Sequence, residues 1–256
     1  MSRARSFRPF RQSPRLFEVR RADRSELWTE AVGAPPPVYG ERWAESEGRY
    51  FRAFDPARSK LSAAIVRGWA GDLPSAGDRW LYLGAASGTT ASHVADLVGP
   101  DGRVLAVEPS VRPFARLLLL AERWPSLLPI LGDAREPRSY LPLVPLVDGL
   151  YSDVAQPDQV ELVRQNAAFF LRGPGAPVLL ALKTPSMGRD ASAQGHLKRA
   201  EELLAPVLEL EPSVRLDPFH RGHYFVGGRA RPELFADALT GALSPRRGRS
   251  PGRRRP

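Results

Sequence analysis

The sequence predicts an α/β fold: a mostly parallel sheet with an antiparallel edge, preceded by a small β-rich region. Five short apolar runs carry the first part of that prediction: WLYLG (80–84), RVLAVE (103–108), LLPILGD (127–133), VDGLYSD (147–153) and APVLLALK (176–183). Helix-like stretches separate most of them, which is the signature of βαβ units and a parallel sheet. The runs VRLDPF and GHYFVGG then read as a terminal hairpin, hence an antiparallel edge. Upstream, aromatic and β-branched residues alternate with breakers, as in small hairpins.

Taken in order, residues 1–15 carry Arg3, Arg5, Arg8, Arg11 and Arg15 and no acid, and read as a basic disordered tail. Residues 16–55 form the β-rich region through LFEVRR, SELWTEAV and, after a PPP break, VYGERWAESEGRYFRAFD. Residues 56–232 form the main domain. It opens with a helix through SKLSAAIVRGWA that Asp55 or Ser59 would cap, with Leu61, Ala64 and Ile65 on one face. Helices are expected over ASGTTASHVADLV, after RVLAVE through about Arg123, over DQVELVRQNAAFFL and over GHLKRAEELLAPVLEL. Residues 233–256 are a C-terminal segment whose Arg/Pro-rich end reads as disordered, with six arginines in the last thirteen residues. Subtracting the two tails' eleven arginines from the net charge of +9 leaves residues 16–243 at about −2. Basicity is therefore a property of the tails, which suit salt-sensitive contact with a polyanion. There is no cysteine, so disulfides and thiolate metal sites are excluded. No N-terminal apolar segment or membrane-length apolar run is present, and a soluble cytoplasmic protein is expected.

Gly84 and Gly88 straddle the first strand-to-helix turn, where the backbone must bend tightly and a ligand can approach it. The spacing GAASG is neither GxGxxG nor a phosphate loop ending in GK[ST]. Glu108 ends the second strand twenty-four residues after Gly84, where an acid meets ribose hydroxyls in nucleotide-binding folds. Asp133 ends the third strand and could face a base edge. Each acid alone could be an ordinary cap; together they read as a site for a nucleoside-bearing cofactor. The fourth and fifth strands end in Asp153 and Lys183, on the side where open α/β sheets bind ligands. They could form an acid–base pair or a simple salt bridge. Of 37 basic residues only Lys60, Lys183 and Lys198 are lysines, which suggests that a primary amine is needed where lysine persists. His93 lies in the helix after the glycine turn and reads as an ordinary packed or surface residue. His220 and His223 have no carboxylate cluster beside them, which disfavours a metal site.

The stretches DPARSKLSAAI, WLYLGAASGTTASHVADLVGPDGRVLAVE, ILGDAREP, YSDVAQPDQ and the Lys183 strand closely resemble fibrillarin, in the short archaeal form, over residues 38 to 228. That resemblance implies a Rossmann-like methyltransferase fold and an S-adenosylmethionine-dependent RNA 2'-O-methyltransferase. It implies work in a box C/D guide ribonucleoprotein with guide RNA, a Nop5-type scaffold protein and an L7Ae-type RNA-binding protein. Ribosomal RNA and, in archaea, some transfer RNA are the implied substrates, and no membrane is involved.

By the same resemblance Gly84, Ala85, Ser87, Gly88, Thr89 and Thr90 hold the methionine end of S-adenosylmethionine. Glu108 takes its ribose hydroxyls, Pro109 stands at the family's adenine-stacking position, Asp133 and Ala134 meet its adenine, and Asp153, Val154, Ala155 and Gln156 close the pocket near the sulfonium. The family's proposed catalytic tetrad of Lys, Asp, Lys and His falls on Lys60, Asp153, Lys183 and His223. An aspartate beside Lys183 argues for a charged, electrostatic role rather than a neutral base. Two departures stand out: Pro109 replaces a usual aromatic residue, and Gly222 replaces the acid before the histidine. A stand-alone RNA methyltransferase and a non-catalytic assembly subunit are the competing readings.

Overall fold

The computed structural model describes residues 6–11, 13–20, 25–188 and 191–239. Its N-terminal sheet contains β1 (Arg8–Phe10), β2 (Ser13–Arg20), β3 (Ser25–Glu30), β4 (Trp43–Ser46) and β5 (Arg49–Ala53), all antiparallel in the order β1-β2-β3-β5-β4. One face buries Phe17, Val19, Trp28 and Phe51, with Phe7 stacked on Phe51 at 3.9 Å between ring centroids. Leu16 and Leu27 join the core of the main domain instead.

The expectation of a disordered tail over residues 1–15 is corrected for its second half. Strands begin at Arg8, and Arg15 is mostly buried: its Nη1 lies 3.3 Å from Glu30 Oε1 and its Nε donates to Asp96 O at 2.5 Å. Phe7 supplies the apolar area that a polar tail lacks, and the acceptors for Arg15 come from distant segments that a local reading does not see. Arg3, Arg5 and the C-terminal arginines from Arg246 onward lie outside the described residues.

The main domain follows as α1 (Lys60–Val66), β6 (Arg79–Leu83), α2 (Thr89–Val98), β7 (Arg103–Glu108), α3 (Val111–Ala121), β8 (Leu127–Leu131), β9 (Gly149–Ser152) and α4 (Gln159–Phe170). It ends with β10 (Pro177–Lys183), α5 (Ala193–Leu204), β11 (Leu208–Leu210), β12 (Val214–Arg215), β13 (His223–Ala230) and α6 (Glu233–Leu239). The sheet order is β11-β13-β10-β9-β6-β7-β8, with β12 beside β13. Strands β8, β7, β6, β9 and β10 are parallel, and β13 runs antiparallel to β10. Chain order reverses between β6 and β9, and ligand crevices form at such a switch point, beyond the carboxyl ends of the strands. The main core also extends past residue 232, because Leu234 of α6 is buried in it.

Helix α2 is buried almost all round, between the parallel sheet and the N-terminal sheet. Its polar residues therefore need internal partners. Asp96 accepts from Thr29 Oγ1, Val32 N and Trp124 Nε1 at 2.8, 3.0 and 2.9 Å, and pairs with Arg52 Nη1 at 3.3 Å. Arg52 also pairs with Glu41 at 3.1 Å. His93 is fully buried against Phe54, with Nδ1 2.8 Å from Thr29 Oγ1 and Nε2 3.2 Å from Arg52 Nη2. Thr29 gives its hydroxyl proton to Asp96, so it accepts from His93 Nδ1–H. Nε2 is then left to accept from Arg52, which defines a neutral tautomer. Burial, reinforced by the charge of Arg52, holds the pKa of His93 well below its usual value.

Candidate active site

The turn after β6 is built for close approach. Gly84 has φ +76°, and a Cβ there would sit 3.0 Å from the Asp153 carbonyl oxygen. Gly88 has φ +93°, and a Cβ would meet Leu120 Cδ2 at 2.4 Å. Both demand glycine, one to pass the neighbouring strand end and the other to seat α2 on α3. Ala86 N donates to Glu108 Oε2 and Ser110 N to Glu108 Oε1, each at 2.9 Å. Glu108 is thus buried and orientated by two backbone donors at the edge of the turn.

A cleft of about 260 Å³ opens at these strand ends, lined on one side by Gly84, Glu108 and Pro109 and on the other by Asp133, Ala134 and the 153–156 segment. Asp133 Oδ1 accepts from Arg135 N at 2.9 Å, which caps the turn after β8. Arg135 reaches across to Gln156 Oε1 at 2.7 Å and to both carboxylate oxygens of Asp158 at 3.1 Å. That bridge ties the two walls together and leaves the Gln156 amide N–H groups to donate.

At the cleft's end Asp153 stands between two lysines. Its Oδ1 is 2.8 Å from Lys183 Nζ and 3.0 Å from Lys60 Nζ. Lys183 Nζ also donates to the Asp153 carbonyl at 2.6 Å. Gln159 clamps the Lys183 backbone on both sides, accepting from its N–H at 2.8 Å and donating to its carbonyl at 3.2 Å. Lys60 is the first residue of α1, behind the cap Ser59, whose Oγ accepts from Ser62 N and from Thr90 Oγ1. A cation at a helix N-terminus opposes the helix dipole, so Asp153, not the helix, accounts for Lys60 at this position. His223 faces Lys183 in the antiparallel register of β10 and β13. Its Nδ1–H donates to Arg221 O at 2.9 Å, which leaves Nε2 with a lone pair. Burial lowers the pKa of His223, and the nearby Lys60 and Lys183 add to that.

The pKa of Lys183 is lowered as well. Burial is the main cause and the charge of Lys60 adds to it, together outweighing the attraction of Asp153. The aspartate alone would hold Lys183 charged; the fold adds burial and a second ammonium on the same carboxylate. Lys60, Asp153, Lys183 and His223 are therefore brought together.

The expected cofactor residues divide. Gly84, Glu108, Pro109, Asp133, Ala134, Asp153, Val154, Ala155 and Gln156 line the cleft. Ala85, Gly88 and Thr90 are buried behind the turn, whereas Ser87 and Thr89 face a second depression beside α3. Sequence reasoning missed His220, whose Nε2–H donates to Pro56 O at 2.9 Å and ties the His223 turn to the segment that leads into Lys60. It also missed the Arg135 and Gln159 clamps. A bare arginine or glutamine carries no signal of that kind without its distant partner. Among the described residues no group of three or more acids and histidines could hold a metal ion, and no helix is long and apolar enough to cross a membrane.

The family model for fibrillarin matches residues 8–232. This chain belongs to the fibrillarin family. A fibrillarin-like rRNA/tRNA 2'-O-methyltransferase from Aeropyrum pernix is 46% identical over 191 residues, covering 74% of this chain and 81% of that protein. The crystal structure of Aeropyrum pernix fibrillarin with natively bound S-adenosyl-L-methionine superposes with a TM-score of 0.79 at 40% identity, covering 87% of this chain and 97% of that one. A fibrillarin/Nop5p complex superposes with a TM-score of 0.73 at 35% identity, covering 80% and 94% of the two chains. The residues matched by the family model include both the N-terminal sheet and the cleft.

Proposed function

We propose that this fibrillarin-family chain is an S-adenosylmethionine-dependent RNA 2'-O-methyltransferase that acts on ribosomal RNA and on transfer RNA. It works as the catalytic subunit of a box C/D ribonucleoprotein, with a Nop5-type scaffold, an L7Ae-type RNA-binding protein and a guide RNA, in the cytoplasm. The observation that carries the reading is the Asp153 carboxylate held between Lys60 and Lys183 at the end of a nucleoside-sized cleft.

The cleft suits the methyl donor chemically. Glu108 is fixed by two backbone bonds yet keeps oxygen lone pairs for a ribose diol, and Asp133 on the opposite wall of the cleft offers a carboxylate to a base amine. When bound, S-adenosylmethionine supplies an electrophilic methyl group on a sulfonium. Asp153 accepts the hydrogen bond of the ribose 2'-hydroxyl and aligns its oxygen for in-line attack. The ammonium of Lys183 stabilises the negative charge that grows on that oxygen, while Lys60 holds the carboxylate in place. His223 Nε2, neutral and free to accept, is the outlet for the proton. Guide pairing selects the nucleotide, so this chain needs no base-reading element.

Calorimetric titration with S-adenosylmethionine, followed by transfer of labelled methyl to a guided RNA in the reconstituted particle, tests the reading. Saturable one-to-one binding and guide-dependent 2'-O-methylation are expected. Binding without transfer would leave an assembly subunit, and transfer without guide RNA or partners would leave a stand-alone enzyme.

A further inference from the structure

A second depression, of about 430 Å³, lies on the far side of the glycine turn from the cofactor cleft. Arg58, Arg116 and Arg123 line it, together with Tyr39 and the hydroxyl residues Ser87 and Thr89, and no carboxylate is among its lining residues. The three cations are held or presented in different ways. Arg58 lies over the Tyr39 ring at 5.5 Å from its centroid. Arg123 lies over Trp124 at 5.0 Å and donates to the carbonyls of Ala34 and Pro36, so its position is set by neutral groups and its charge is not cancelled. Arg116, one helical turn before Leu120 on α3, is exposed, and no ion pair engages it among the described residues. Among the described residues none of the three is paired with a carboxylate, so their charges stay open to an anion from outside.

The groove neighbours the transfer centre along the chain. Arg58 precedes Lys60 by two residues, a reach of about 7 Å along the chain, and Ser59 between them is hydrogen-bonded to Thr90 behind the turn. We propose that this groove holds backbone phosphates of the substrate RNA strand next to the nucleotide whose ribose meets Asp153. The inference rests on the methyltransferase reading and adds the path of the strand. Guanidinium forks match phosphate oxygens, Ser87 and Thr89 offer neutral donors, and the groove offers no base-specific set, as a guide-directed enzyme requires. A protein partner would call for a larger apolar anchor than the exposed Leu119 supplies here.

Full-length protein is titrated with a fluorescent single-stranded RNA at several salt concentrations, for wild type, Arg116→Ala and Arg58→Ala/Arg116→Ala. The slope of log affinity against log salt should fall by about 0.7 per arginine removed. In the reconstituted particle Arg116→Ala should raise the KM for substrate RNA several-fold, by more than any fall in kcat, with S-adenosylmethionine affinity within twofold of wild type. Arg116→Lys should recover much of the loss. Unchanged slopes and KM would overturn the proposal, as would loss of scaffold binding with RNA affinity intact. If wild type transferred no methyl at all, the function reading would fail while the salt slopes still decided the groove.

Discussion

Asp153→Asn removes one carboxylate from between two ammonium groups and leaves the shape of the site intact. At about 3 Å and an effective dielectric constant of about 20, each contact amounts to roughly 5 kcal/mol of attraction before desolvation. Removing one member of such a buried set costs about 3 kcal/mol net. The direction follows from the causes in place: burial and Lys60 lower the Lys183 pKa and Asp153 raises it, so losing Asp153 lowers it further. His220 and His223 are held neutral by burial and by the lysines, and do not replace the lost negative charge. If Lys183 must be an ammonium to stabilise the attacking oxygen, the alkaline limb of the pH–rate profile moves to lower pH. The plateau should also fall by about 10², the scale of losing the contact that positions the attacking oxygen. The assay is single-turnover methyl transfer by the reconstituted particle across pH, at saturating cofactor and RNA. An unchanged profile would refute the reasoning, and so would a downward move of the acid limb, which would make Lys183 a neutral-amine base.

Pro109 is exposed at the cleft wall and offers no ring to stack; Pro109→Phe should tighten S-adenosylmethionine binding at least about fivefold, since stacking on a base is worth roughly 1–3 kcal/mol. Calorimetry reads this directly, and no gain would show that adenine lies elsewhere. His220→Ala should lower kcat about fivefold, the worth of one hydrogen bond of about 1 kcal/mol, with cofactor affinity unchanged; His220→Gln, which keeps an N–H for Pro56 O, should recover it, and failure to recover would remove the clamp from the mechanism. The folded pKa of His93 lies below 6.5, so as pH falls below about 6.5 the unfolded chain binds a proton that the folded chain refuses. Stability is therefore full above that pH and falls below it by up to about 1.4 kcal/mol per unit for this residue. His93→Gln should flatten the slope by one proton in urea denaturation series between about pH 5 and 8, although His220 and His223 add to the same slope in both proteins.

What the sequence determined by itself is the order of elements and the set of residues at the strand ends. Apolar runs of strand length, separated by helical stretches, dictate a parallel sheet through local sterics and periodicity. A glycine turn with Glu108, Asp133, Asp153 and Lys183 at successive strand ends places a cleft at one edge, because parallel strands all end on the same side. Family motifs added Lys60 and His223, which no spacing could have joined to that edge. Only the tertiary structure decided that Lys60, 93 positions from Asp153, shares one carboxylate oxygen with Lys183, and that the β10–β13 register sets His223 opposite. It likewise turned half of a supposed tail into strands, buried His93 and Asp96 around Arg52, and lowered the pKa of Lys183 where the sequence argued for the opposite. Such effects depend on desolvation and on charges a few ångströms away, and both are set by which distant segments pack together.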